Sequence, residues 1–171
     1  MRANRPRKKD FGRTLVLGLG NTLLCDDGVG IYVVRRLKKD FVGEEKLHFE
    51  ESSEAGLALL DLLIGYEHVF ILDALPVTDG PFGSVTHIPP AQWDDVPLAS
   101  SPHYTGLPSL LKMGQRLGYT MPSRVRLFGI TVKDPFSVKE GLSPEIERAL
   151  PGIVSHIKSL LLNHLTGLKS A

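Results

Sequence analysis

Short unbroken apolar runs alternate along this chain with stretches in which apolar residues recur every third or fourth position. The runs read as strands buried on both faces, and the stretches as helices with one apolar side. That alternation predicts an α/β fold: a single-domain, twisted, largely parallel sheet of about five strands sandwiched by helices. The first strand spans Thr14 to Leu19. A helix follows over 27–41, with Val33, Val34, Leu37 and Phe41 on one face and Lys38 and Lys39 at the negative end of its dipole. Strand two is expected over 46–51 and helix two over 55–64, where Gly65 supplies the stop.

Strand three is the run Val69-Phe70-Ile71-Leu72, ending at Asp73. The turn Asp79-Gly80-Pro81 leads to a fourth strand over 83–88 and then a loop rich in Pro, Asp and Ser over 89–102. Helix three carries Leu107, Leu110, Leu111, Gly114 and Leu117 on one side, which puts Pro108 in its first turn, where the missing N–H costs little. Strand five covers 124–132. The last helix opens at Ser143-Pro144-Glu145, an N-cap followed by proline. Its apolar face runs through Ile146, Leu150, Ile153, Ile157 and Leu160 to His164, and Pro151 is expected to kink or split it.

Composition narrows the classes. With 171 residues, 42% hydrophobic and 23% charged, the chain makes one ordinary globular core. No apolar run approaches the ~18 residues that cross a bilayer, so a membrane is not an expected partner. A single cysteine, Cys25, excludes an internal disulfide and fits a reducing, cytoplasmic setting. Residues 1–13 hold six cations and one Asp, leaving the rest of the chain net negative. That segment reads as a basic, flexible tail, the domain as 14–165 and the end as a short tail over 166–171. Nucleic acid is not expected either, because no aromatic residue lies between Arg2 and Lys9 and the body is acidic.

The candidate chemistry lies where strands end. Gly18-Leu19-Gly20-Asn21-Thr22-Leu23-Leu24-Cys25-Asp26-Asp27-Gly28-Val29-Gly30 forms a strand end, a glycine loop and a helix start, with two carboxylates at the turn. Parallel strands place ligands at their carboxyl ends, so Asp73 should lie beside this loop, and His103, just before helix three, should reach them if that helix starts on the same edge. Two carboxylates and an imidazole suit a borderline divalent ion such as Zn²⁺ or Ni²⁺ better than Mg²⁺. Adjacent residues do not aim at one point, so Asp27 is the expected ligand and Asp26 the cap of helix one. The remaining histidines, His48, His68, His87, His156 and His164, show no ligand spacing and read as structural. Cys25 beside carboxylates makes a poor nucleophile. A dinucleotide site is disfavoured, since a third glycine would fall on Leu23 and two acids would repel a pyrophosphate.

These segments resemble the hydrogenase maturation endopeptidases, which trim the C-terminus of the large subunit of nickel-iron hydrogenases after nickel is installed. The carrying residues are the Gly18–Gly30 motif, Leu72-Asp73-Ala74, Ser101-Pro102-His103, Leu127-Phe128-Gly129-Ile130 and Gly141-Leu142-Ser143-Pro144. The similarity spans about residues 14 to 160 and implies a twisted sheet between helices. It also implies metal-contacting and catalytic positions at Asp27, Asp73 and His103, with the nickel of the precursor as the recognition element. The chain departs from the family pattern at Glu51-Ser52-Ser53-Glu54-Ala55-Gly56, where Gly-Gly-Thr or Gly-Gly-Ser is common. It departs again at Thr131-Val132-Lys133-Asp134-Pro135, where a proline often follows Gly-Ile sooner. Both stretches concern the choice of hydrogenase partner more than the chemistry.

The implied reaction is peptide-bond hydrolysis on a nickel-loaded hydrogenase large-subunit precursor. Water is activated either by the metal or by a carboxylate general base, as in aspartic peptidases. Two other classes use the same residues: a non-cleaving nickel-sensing assembly factor that binds the large subunit, and a free-standing metallohydrolase for small substrates.

Overall fold

A computed structural model describes residues 13–93 and 106–169. In chain order it has strand β1 (Thr14–Leu19), a 3-10 turn (Cys25–Gly28), helix α1 (Val29–Asp40), β2 (Leu47–Ser52), α2 (Ala58–Leu63) and β3 (His68–Pro76). These are followed by β4 (Val85–Ile88), a second 3-10 turn (Pro90–Gln92), α3 (Leu107–Arg116), β5 (Arg124–Val132) and α4 (Pro144–Lys169). The sheet order is β2-β1-β3-β5-β4; the first four run parallel and the edge strand β4 is antiparallel to β5.

Side chains of a strand alternate between faces, and that period divides each apolar run between two cores. Val16, Phe70, Leu72, Phe128 and Ile130 pack under α1 and α4. Leu15, Leu17, Val69, Ile71 and Leu127 pack on the other side with Leu59 and Leu63 of α2 and Leu107 and Leu110 of α3. A run with no polar interruption is therefore what a doubly covered strand requires.

Several boundaries differ from the sequence expectation, each for a tertiary reason. The first helix begins with a 3-10 turn instead of α-helix, because the 25–28 segment is tied to a distant loop described below. Strand three does not end at Asp73. β1 stops pairing with it at Gly18 opposite Leu72, yet β5 continues alongside to Val132 opposite Pro76. β4 is shorter than 83–88, since Gly83 takes φ +82 in a turn. α2 is also shorter than expected, starting only at Ala58.

α4 is not split at Pro151; it runs unbroken for 26 residues. The carbonyl that Pro151 leaves without a helical donor belongs to Glu147, which is exposed to water, while Leu150, Ile153 and Ile157 hold both halves on the sheet. The helix also continues past residue 165, the last buried position, through Lys169.

Candidate active site at the carboxyl edge of the sheet

The glycines of the first motif permit backbone to meet backbone. A Cβ on Gly30 would lie 2.2 Å from the Leu72 carbonyl oxygen and 2.7 Å from that of Leu19. The first turn of α1 thus rests directly on the end of β1 and on Leu72 in the middle of β3. At Gly20, with φ +135, a Cβ would stand 2.0 Å from the Asp27 carbonyl oxygen. The glycine spacing serves this close helix-to-strand approach.

Between them the turn closes on itself. The Asn21 backbone N–H donates to Asp27 Oδ2 at 2.6 Å, and the Asn21 side-chain oxygen accepts the Leu23 N–H at 3.0 Å. The Asn21 carbonyl accepts from Leu24 and the Leu24 carbonyl from Asp27. Cys25 sits at the bend with φ +41, a conformation side chains seldom adopt. Asp27 is held this way at 7% exposure.

The two adjacent acids turn to different partners. Asp26 is fully buried, and its Oδ1 accepts the backbone N–H of Ser143 at 2.7 Å. It does not cap helix one, as the sequence suggested; α1 has no side-chain cap. Asp26 instead serves the start of α4. The neighbouring loop adds further ties: Cys25 N–H donates to the Lys139 carbonyl, Asp26 N–H to that of Asp134, and Lys139 N–H to that of Leu23. Sequence reasoning missed this clamp. Its only trace was the separate presence of the Gly-Leu-Ser-Pro segment.

Asp73 is fully buried, opposite Gly129 of β5, and its Oδ1 accepts the Ala74 N–H at 2.8 Å. It is the first residue of β3 beyond its pairing with β1, so the Asp27 turn and Asp73 occupy the same edge. By alternation Asp73 shares the face of Ile71, the side covered by α2 and α3. His103 lies outside the described residues. Gly106, three positions later, opens α3 at this edge. The other end of that helix leads to Thr120, whose carbonyl accepts the Gly65 N–H at the opposite edge, just before β3. Among the described residues no group of three His, Cys, Asp or Glu side chains is arranged to hold a metal.

The remaining titratable groups have packing roles. Burial, and next the charge of Asp26, pushes the Cys25 thiol up, away from the thiolate a nucleophile needs. His68 and His164 meet edge to face at 4.7 Å, far from the Asp73 edge, and His164 Nε2 lies 2.8 Å from Thr14 Oγ1. Burial lowers both, His164 to about 4, so both rings are neutral at pH 7. His48 bonds the Tyr66 hydroxyl at 3.0 Å, and His87 lies against Phe128.

The family model described as hydrogenase maturation protease matches residues 31–160. The hydrogenase 2 maturation protease of Escherichia coli (strain K12) is 26% identical over 153 residues, covering 87% of this chain and 90% of that protein. The hydrogenase expression/formation protein HupD of Rhodobacter capsulatus is 33% identical over 122 residues, 68% of this chain and 56% of HupD. In structure, the chain is similar to the maturating endopeptidase HybD of E. coli, with a TM-score of 0.68, 24% identity and coverage of 89% and 93%. HybD of Thermococcus kodakarensis gives 0.61 at 23% identity, covering 86% and 98%. These two likenesses establish the shared fold. With three quarters of its length matched by the family model, this chain belongs to the hydrogenase maturation protease family.

Proposed function

We propose that this protein is the endopeptidase that removes a C-terminal peptide from the nickel-loaded large-subunit precursor of a nickel-iron hydrogenase. The observation that carries the reading is the juxtaposition of Asp27 and Asp73, both buried, at one edge of a sheet whose chain belongs to a protease family for this maturation. Each carboxylate is held by a backbone N–H, from Asn21 and Ala74 respectively, which fixes both for a divalent cation arriving with the substrate. Asp27, Asp73 and His103 supply two oxygens and one nitrogen, a donor set suited to nickel. The metal belongs to the substrate and is read by the enzyme.

Reading the metal also positions the bond to be cut. Fixing nickel at the carboxylates presents the precursor's C-terminal segment in register, which replaces a bimolecular encounter with an intramolecular one. Water then adds to the scissile carbonyl carbon, its proton passes to a base, and the C–N bond breaks as the leaving nitrogen is protonated. Asp27 and Asp73 are the groups placed to handle that proton. No helix of the described residues is long and apolar enough to cross a membrane.

The test is intact-mass analysis of the cognate precursor incubated with the protein, with and without nickel loading. Loss of a short C-terminal peptide from the nickel-loaded form alone is expected. An unchanged mass in a stable complex would instead identify a non-cleaving assembly factor.

A further inference from the structure

The segment that clamps the Asp27 turn also presents apolar side chains to solvent. Phe136 is 65% exposed, Val138 87% and Leu23 59%; these are three of the nine large apolar residues exposed among the described residues. They lie on two strands of backbone tied to one another. Lys139 N–H donates to the Leu23 carbonyl at 3.0 Å, Cys25 N–H returns to the Lys139 carbonyl at 2.8 Å, and Leu24 and Lys139 form a parallel bridge. The loop is also internally fixed, because Asp134 Oδ1 accepts the N–H groups of both Phe136 and Ser137 at 3.2 and 2.9 Å. Apolar groups held rigid in water have already lost the freedom that binding would otherwise cost them.

We infer that Leu23, Phe136 and Val138 form a docking surface for apolar side chains of the hydrogenase precursor close to its scissile bond. The inference rests on the proposed peptidase reading and deepens it. Leu23 stands four residues before Asp27, just outside the 3-10 turn that carries it, so the two lie within about 14 Å of one another. A substrate chain in extended form covers that span in about four residues. A precursor segment that reaches Asp27 thus has this surface within reach, and exposed apolar groups beside a site for a macromolecule mark where that macromolecule rests. It also accounts for the clamp, since the Lys139 bonds to Leu23 and Cys25 join the turn that carries Asp27 to the loop that carries Phe136 and Val138.

The experiment uses the full chain and the nickel-loaded precursor. Binding is measured by biolayer interferometry, and cleavage separately by intact mass, for wild type and the triple variant Leu23→Ser, Phe136→Ser, Val138→Ser. The expected result is at least tenfold weaker binding and a KM raised by a similar factor, with kcat within about twofold of wild type. Phe136→Leu should retain most of the affinity. Equal binding by wild type and the triple variant overturns the docking surface, whether or not cleavage occurs. Should wild type bind but fail to cleave, the peptidase reading falls while the binding comparison still judges the patch. Sedimentation supplies the other occupant: a wild-type dimer made monomeric by the substitutions, with precursor binding unchanged, overturns the proposal in favour of self-association. If the triple variant does not fold, Val138→Ser alone, at the most exposed of the three positions, carries the comparison with a threefold loss expected.

Discussion

Asp26 and Ser143 are 117 residues apart in sequence and joined by a 2.7 Å hydrogen bond from the Ser143 N–H to Asp26 Oδ1. Ser143 is the N-cap of α4, and its hydroxyl in turn accepts the Ile146 N–H at 3.4 Å. In a capping box the third helical residue would reach back to the N-cap N–H, but here that residue is Ile146 and has nothing to offer. Asp26 performs that service from the turn after β1. The bond thus locks the helix that covers one face of the sheet to the turn that carries Asp27.

Removing this carboxylate leaves a hydrogen-bond donor without its acceptor. Asp26→Ala is expected to lower stability by about 2–3 kcal/mol in urea titration. Asp26→Asn keeps an oxygen for the Ser143 N–H and should lose less than half as much. Its second oxygen, Oδ2, is buried with no hydrogen-bond partner among the described residues, none of which therefore gives the asparagine NH₂ an acceptor. Equal losses for the two variants would contradict the capping role.

Gly30 and Gly152 make opposite predictions for the same substitution. At Gly30 the new methyl meets two backbone carbonyls that cannot give way. Gly30→Ala should cost more than about 3 kcal/mol, by overpacking, and push the Asp27 turn off β3. At Gly152, in α4, nothing lies within 4 Å of the added Cβ. Gly152→Ala should gain about 0.5–1 kcal/mol from helix propensity alone. Thermal melts of the two variants decide the matter.

Acid should weaken the fold through His164. Its ring faces Thr14, His68 and Phe70, with Arg124 and Arg126 adding positive charge nearby, and burial is the main cause of a pKa of about 4 against 6.5 for an ordinary histidine. The unfolded chain takes up a proton that the folded chain refuses. The stabilisation is complete above pH 6.5 and is lost as pH falls towards 4, a change of about 2 kcal/mol once partial solvent access to the ring is allowed for. His68, lowered in the same direction, adds to it. His164→Gln should flatten the stability profile between pH 6.5 and 4; an unchanged slope would show that another group titrates there.

Cys25 should behave as a structural thiol. It is 3% exposed and its pKa is raised, so iodoacetamide at pH 7.5 should leave the native protein unmodified and its peptidase activity intact. Modification at the rate of a free thiol would contradict this placement.

The strands and the shared edge of Asp27 and Asp73 were legible because both follow from local pattern. Doubly covered strands need continuous apolar runs, and parallel neighbours end at one edge. The partner of Asp26 was not legible. A bond across 117 positions leaves no periodic mark, and an acid before a helix looks the same whichever helix it caps. The continuation of β3 beyond Asp73 was hidden for a similar reason, since Ala74-Leu75-Pro76 is held by β5 and not by any preference of its own. Pro151 misled in the opposite sense. Its local cost is real, but it falls at an exposed residue, Glu147, and the packed residues on either side absorb it.

If Asp27 and Asp73, with His103, read nickel and direct hydrolysis as proposed, removing any one of the three side chains abolishes processing. The most direct measurement is peptide release from nickel-loaded precursor by Asp27→Ala, Asp73→Ala and His103→Ala, each first shown by circular dichroism to retain the wild-type fold. All three variants are expected to fold, and none to release the peptide above background. Processing at the wild-type rate by all three variants would contradict the proposal.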